Sequence, residues 1–87
     1  DADLENTVKE CLTGSLSFNG QRCTALKIIF IHRSISDRFL KMFAEAVGGL
    51  KCGMPWDEGV GITPLPETGK PQYLKELVED AISNRRL

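Results

Sequence analysis

The side chain best suited to nucleophilic chemistry in this sequence is cysteine, and Cys23 stands where a chain can present one. It lies in the stretch 16–27, LSFNGQRCTALK, where Asn19 and Gly20 mark a turn between two apolar segments. A turn braced by two rigid elements can hold a thiolate in place, and backbone N–H groups in irregular structure are free to face a developing oxyanion. Arg22 precedes it and would favour the thiolate if its guanidinium came near, although consecutive side chains often diverge. From the residue types alone two readings of Cys23 stay open, because a free cysteine also serves as a small buried hydrophobe.

The other reactive side chains carry plainer readings. Cys11 falls on an apolar helical stripe and Cys52 in a turn, so both are expected to pack. Three cysteines at irregular spacing form neither a disulfide framework nor a zinc motif, and reduced thiols are expected. His32 has no second histidine or carboxylate at ligand spacing, so it reads as a surface or hydrogen-bonded histidine, and no metal site is predicted. Trp56 beside Pro55 reads as the apolar anchor of a loop. Asn19 either hydrogen-bonds within the turn or tolerates a left-handed backbone.

Periodicity in the sequence marks the elements on either side of Cys23. Leu4, Val8, Cys11, Leu12 and Leu16 recur at helical spacing after the acidic start Asp1, Asp3 and Glu5, and the helix should fail between Gly14 and Gly20. Leu26 and Ile28 to Ile31 form an apolar, β-branched run, the pattern of a parallel strand buried on both faces. Ser36 can cap a second helix with Phe39, Leu40, Phe43, Ala44 and Val47 on one stripe, and Gly48 with Gly49 offers a left-handed stop. The segment from Gly53 to Lys70, rich in proline and glycine, promises little regular structure. Pro71 then opens a third helix with Tyr73, Leu74, Leu77, Val78, Ala81 and Ile82 as its stripe and Arg85 and Arg86 at its basic end.

One convincing strand cannot make a sheet, so its partners must come from elsewhere; Leu50 to Cys52 offers only a weak candidate. The expectation is an α/β fragment, amphipathic helices around a buried parallel strand, cut from a larger protein. Eleven Lys and Arg against twelve Asp and Glu give a formal charge of -1, which supplies no field for nucleic acid or an anionic membrane. No run approaches the length of a membrane span, and the acidic start is unlike a secretory leader, so a soluble cytoplasmic protein is expected.

The stretch 16–27 resembles the cysteine active-site signature of the aldehyde dehydrogenase superfamily, with Gly20, Gln21 and Cys23 at its fixed points. Residues 1–4 look like the opening of the helix before that cysteine, 50–55 (LKCGMP) like the family's LKVGxP turn, and 63–65 like its GPL segment. The resemblance implies that residues 1–87 are part of a catalytic domain. It implies further that Cys23 attacks an aldehyde, that its own N–H helps hold the oxyanion, and that a thioester is then hydrolysed. The hydride would pass to NAD or NADP, bound by a domain absent from this chain, which shows no phosphate-cradling glycine pattern. The activating glutamate and the second oxyanion donor of the family would also lie upstream. Family members are dimers or tetramers, so a homo-oligomer acting on a small-molecule aldehyde is expected.

Gln21, Arg22, Cys23, Thr24 and Ala25 followed by Lys27 are similar to the non-phosphorylating, NADP-dependent glyceraldehyde-3-phosphate dehydrogenases. By that resemblance Arg22 contacts the substrate phosphate and Thr24 faces the substrate tunnel, a phosphate being well matched to a guanidinium fork. Ile62 to Leu65 also look like that branch, although Gly61 replaces its aspartate. The competing readings are a structural Arg22, as in methylmalonate-semialdehyde dehydrogenases that pass the acyl group to coenzyme A, and a non-catalytic fragment acting as an interaction piece.

Overall fold

Asp3 starts the first helix by satisfying a backbone donor that a helix leaves orphaned: its carboxylate accepts from the Asn6 N–H at 3.1 Å. In the computed structural model, which describes residues 3–84, helix α1 then runs Leu4–Leu16, α2 Ser36–Gly48 and α3 Lys70–Ser83. Strands β1 (Lys51–Cys52) and β2 (Val60–Ile62) pair in parallel. Asp1, Arg85 and Arg86 lie outside the described residues.

Helix α1 packs on α2. The buried apolar residues among those described are Val8 of α1, Phe39 of α2 and Ala25 of the segment between them, with Phe39 only 3% exposed and stacked on Phe43 at 5.7 Å between ring centroids. Helix α1 passes through Gly14 and ends at Leu16, inside the stretch from Gly14 to Gly20 where it was expected to fail. The glycine is there for packing, because a Cβ at that position would lie 3.0 Å from Leu26 Cδ1. With only hydrogen present, Leu26 closes on the helix and its N–H donates to the Gly14 carbonyl at 3.0 Å.

The run from Leu26 to Ile31 has no regular secondary structure and pairs with no strand among the described residues. Its expected burial on both faces is not met within this chain: Ile29 and Ile31 are half-buried over the apolar side of α2, whereas Ile28 is 72% and Phe30 94% exposed. A parallel strand draws its ladder from non-local neighbours, and the described residues provide none. β1 does not serve this run either. It pairs instead with β2, Lys51 against Val60 and Cys52 against Ile62, inside a segment expected to be irregular. Three residues with a central glycine are too short to show strand periodicity in the sequence. The Gly53 N–H extends the ladder by donating to the Ile62 carbonyl at 3.0 Å.

Two caps differ from expectation. Ser36 is the first residue of α2 and not its cap; a 3₁₀ turn, Arg33–Ile35, precedes it, and the His32 ring caps that turn by accepting from the Ser34 N–H at 3.3 Å. His32 is thus a hydrogen-bonded surface histidine, as read. Gly49 ends α2 at φ -82°, right-handed rather than left-handed, because its N–H still reaches the Glu45 carbonyl at 3.1 Å. Pro71 sits in the first turn of α3, where a missing N–H costs nothing. The α3 stripe of Tyr73, Leu74, Leu77, Val78 and Ile82 stays exposed. Trp56 anchors nothing, being 76% exposed, and Cys52 is exposed on β1 where packing was expected, while Cys11 is half-buried. No helix among the described residues is long and apolar enough to cross a membrane.

Candidate active site

The segment between α1 and the run from Leu26 to Ile31 is built from backbone that most residues avoid. Helix α1 passes into a 3₁₀ turn, Ser17–Gly20, in which Phe18 (φ 53°), Asn19 (φ 57°) and Gly20 (φ 72°) are all left-handed. Each such non-glycine residue costs roughly 1–2 kcal/mol, so something must hold them there. At Gly20 only glycine fits: a Cβ would stand 2.8 Å from the Ser15 carbonyl oxygen.

Asn19 supplies the hold. Its side-chain amide donates to the Thr63 carbonyl at 3.1 Å and to Thr63 Oγ1 at 3.0 Å, and its Oδ1 accepts the Thr63 N–H at 3.0 Å. Both uses foreseen for Asn19 occur together, left-handed backbone and hydrogen bonding, but the partner lies beyond β2 and not within the turn. Sequence reasoning missed Thr63 as a site residue. The available signal was its place in the 63–65 segment, which stood only as a family likeness.

After Gln21 the chain forms a second turn, closed by the Ala25 N–H donating to the Arg22 carbonyl at 3.1 Å, with Cys23 and Thr24 at its centre. Ala25 is in the core and Leu26 is tied to Gly14, so the turn is pinned on its downstream side. Lys27 Nζ donates to the Ala25 carbonyl at 2.8 Å and to the Arg22 carbonyl at 3.2 Å. Cys23 and Thr24 are both exposed, and neither of their backbone N–H groups has a hydrogen-bond partner among the described residues. The turn therefore displays a thiol and two unengaged amide donors on a fixed frame, which is what addition to a carbonyl requires.

Beside this turn opens a cavity of about 510 Å³ lined by Phe18, Asn19, Gln21, Arg22, Thr63 and two prolines, Pro64 and Pro66. The Arg22 guanidinium lies over the Phe18 ring, 4.2 Å from its centroid, so it is held against an aromatic face at the wall of this cavity. Phe18 is the other residue that sequence reading passed over; an aromatic side chain followed by two turn formers gave no distinctive signal. Among the described residues no group of three metal-ligating side chains converges.

The family model for the aldehyde dehydrogenase family matches residues 1–86. Over 81 residues the chain is 37% identical to the NADP-dependent glyceraldehyde-3-phosphate dehydrogenase of Streptococcus equinus, covering 93% of this chain and 17% of that relative. It is also 37% identical over 83 residues to a succinate-semialdehyde dehydrogenase (NADP(+)) of Mycobacterium avium, covering 94% and 17%. To a lactaldehyde dehydrogenase of Methanocaldococcus jannaschii it is 34% identical over 82 residues, covering 94% and 18%. The chain thus spans less than a fifth of the length of each of these relatives.

Proposed function

The chain belongs to the aldehyde dehydrogenase family, and from that premise we propose that it contributes the nucleophile segment of an enzyme that oxidises an aldehyde to a carboxylic acid. The observation that carries this reading is the closed turn Arg22–Ala25, which exposes Cys23 and leaves its N–H unengaged. The Cys23 thiolate adds to the aldehyde carbon, forming a C–S bond while the carbonyl electron pair moves onto oxygen. The Cys23 N–H, which has no partner among the described residues, is the donor we assign to that oxyanion. NADP held by parts of the enzyme outside this chain would supply the hydride acceptor, and water would then cleave the Cys23 thioester to release the acid and the thiol.

The substrate we propose is glyceraldehyde 3-phosphate. Its support is Arg22 at the wall of the 510 Å³ cavity, together with the names carried by several relatives. A guanidinium held over the Phe18 ring, with no salt bridge among the described residues, keeps N–H groups available for a bidentate anion. A second reading is an aldehyde with a distal carboxylate, favoured by the equal identity to the succinate-semialdehyde relative; the same guanidinium fork fits a carboxylate.

The test is NADPH formation by the full-length enzyme from glyceraldehyde 3-phosphate or succinate semialdehyde, without inorganic phosphate and with or without coenzyme A. Cys23→Ser should abolish turnover of whichever aldehyde is used. Arg22→Ala should raise KM for the anionic substrate about 10- to 100-fold with a smaller change in kcat, the loss expected for one charge-assisted contact. Unchanged KM in Arg22→Ala removes Arg22 from the substrate site, and full activity in Cys23→Ser removes the mechanism. Activity that depends on coenzyme A would replace water as the acyl acceptor.

A further inference from the structure

Lys27 takes no part in the chemistry described above, yet its ammonium touches both ends of the turn that carries the nucleophile. Nζ donates to the Ala25 carbonyl at 2.8 Å and to the Arg22 carbonyl at 3.2 Å, and the latter oxygen also accepts the Ala25 N–H at 3.1 Å. We propose that Lys27 is a positioning residue for the oxyanion donor: it fixes and polarises the Arg22–Cys23 peptide whose N–H receives the developing negative charge. This rests on the reading of Cys23 as the nucleophile.

The Arg22 carbonyl and the Cys23 N–H belong to one planar peptide unit, and no cis peptide occurs among the described residues, so the two groups point in opposite directions. Pinning the oxygen therefore aims the hydrogen. With two donors on it, the oxygen cannot turn without giving up both bonds, and the bond from the ammonium is the charge-assisted and stronger kind. A cation on the carbonyl also draws electron density from the amide nitrogen, which makes the N–H a better donor. The Cys23 N–H has no other hydrogen-bond partner among the described residues, so its direction is available to an incoming oxygen. Preorganisation of this type stabilises charge that exists only in the transition state and afterwards, and it leaves the thiol itself untouched.

A staple that merely held the turn together would affect every reaction of Cys23 alike, and two reactions separate the cases. Acylation by the aldehyde builds an oxyanion and is read from the first turnover of NADPH. Alkylation by iodoacetamide displaces iodide from a tetrahedral carbon and builds none. In the full-length enzyme, Lys27→Met should slow acylation about tenfold or more, less than the outright loss of an oxyanion donor, while alkylation of Cys23 stays within about twofold. Lys27→Arg, which keeps a charged donor, should restore most of the acylation rate. Lys27→Gln, a neutral donor, should fall between and also serves if the methionine variant does not fold. Acylation within about twofold of wild type in both Lys27→Met and Lys27→Gln overturns the proposal, as does an equal drop in acylation and alkylation. Full activity in Cys23→Ser overturns the underlying reading, whereas an essential Cys23 with Lys27 variants of normal acylation rate removes Lys27 alone.

Discussion

Replacing Asn19 by glycine separates the two things that residue does. Glycine keeps the left-handed backbone at φ 57° without strain, so the only loss is the three hydrogen bonds to Thr63. Each net bond contributes about 1 kcal/mol, and partial burial lets water replace some of them, which leaves about 2 kcal/mol for the clamp. The Thr63 N–H donates to Asn19 Oδ1 and so reports the clamp directly. Amide hydrogen exchange of the peptide spanning Thr63, followed by mass spectrometry in the full-length enzyme, should quicken about 30-fold in Asn19→Gly, the factor that matches about 2 kcal/mol. Asn19→Asp should be intermediate, because it keeps an acceptor for that N–H but sets a carboxylate oxygen against the Thr63 carbonyl. Exchange in Asn19→Gly within about threefold of wild type would mean that the segment after β2 is held by other contacts, and the clamp would be discarded.

Two glycines near the site should respond to different extents. Gly20→Ala places a Cβ 2.8 Å from backbone at φ 72° and should cost about 2 kcal/mol or more of stability and slow Cys23 alkylation, measured by thermal melts and thiol labelling. Gly14→Ala meets Leu26 Cδ1 at 3.0 Å and Cγ at 3.1 Å, a crowding that the regain of about 1 kcal/mol of helix propensity partly offsets, so the same melts should fall by less than in Gly20→Ala. Phe18→Ala removes the face beneath Arg22 and should raise KM for the anionic aldehyde about 2- to 5-fold, the size of an exposed cation–π contact, with kcat nearly unchanged in steady-state assays.

What could be read from the sequence was whatever local periodicity or a family likeness carries. The stripe through Leu4, Val8 and Leu16 and that through Phe39 and Phe43 placed α1 and α2 to within a few residues. The cysteine stretch announced a turn at the end of a helix, which the structure contains, and a buried strand after it, which the described residues do not form. Features depending on distant partners were not legible. β2 exists because Lys51 and Cys52 lie beside it, and Asn19 meets Thr63 across 44 positions of sequence. The reason for a glycine at position 14 was equally hidden, because it is the approach of Leu26 from another segment. The burial expected for Ile28 and Phe30 failed for the converse reason: a hydrophobic pattern states what a residue needs and not whether the neighbours at hand provide it.

The bare run between Leu26 and Ile31 has a consequence for biosynthesis. Its residues combine high β propensity with no proline, glycine or acidic side chain, the composition of a segment that associates with copies of itself. Parallel pairing is assembled from distant parts of a chain and forms late, so such a run stays adhesive while a nascent polypeptide is still folding. Lys27 interrupts it near one end and Arg33 stands just past the other, where like charges on neighbouring copies repel. The lysine that bridges the Arg22 and Ala25 carbonyls in the folded protein would by this charge also oppose misassembly before folding is complete.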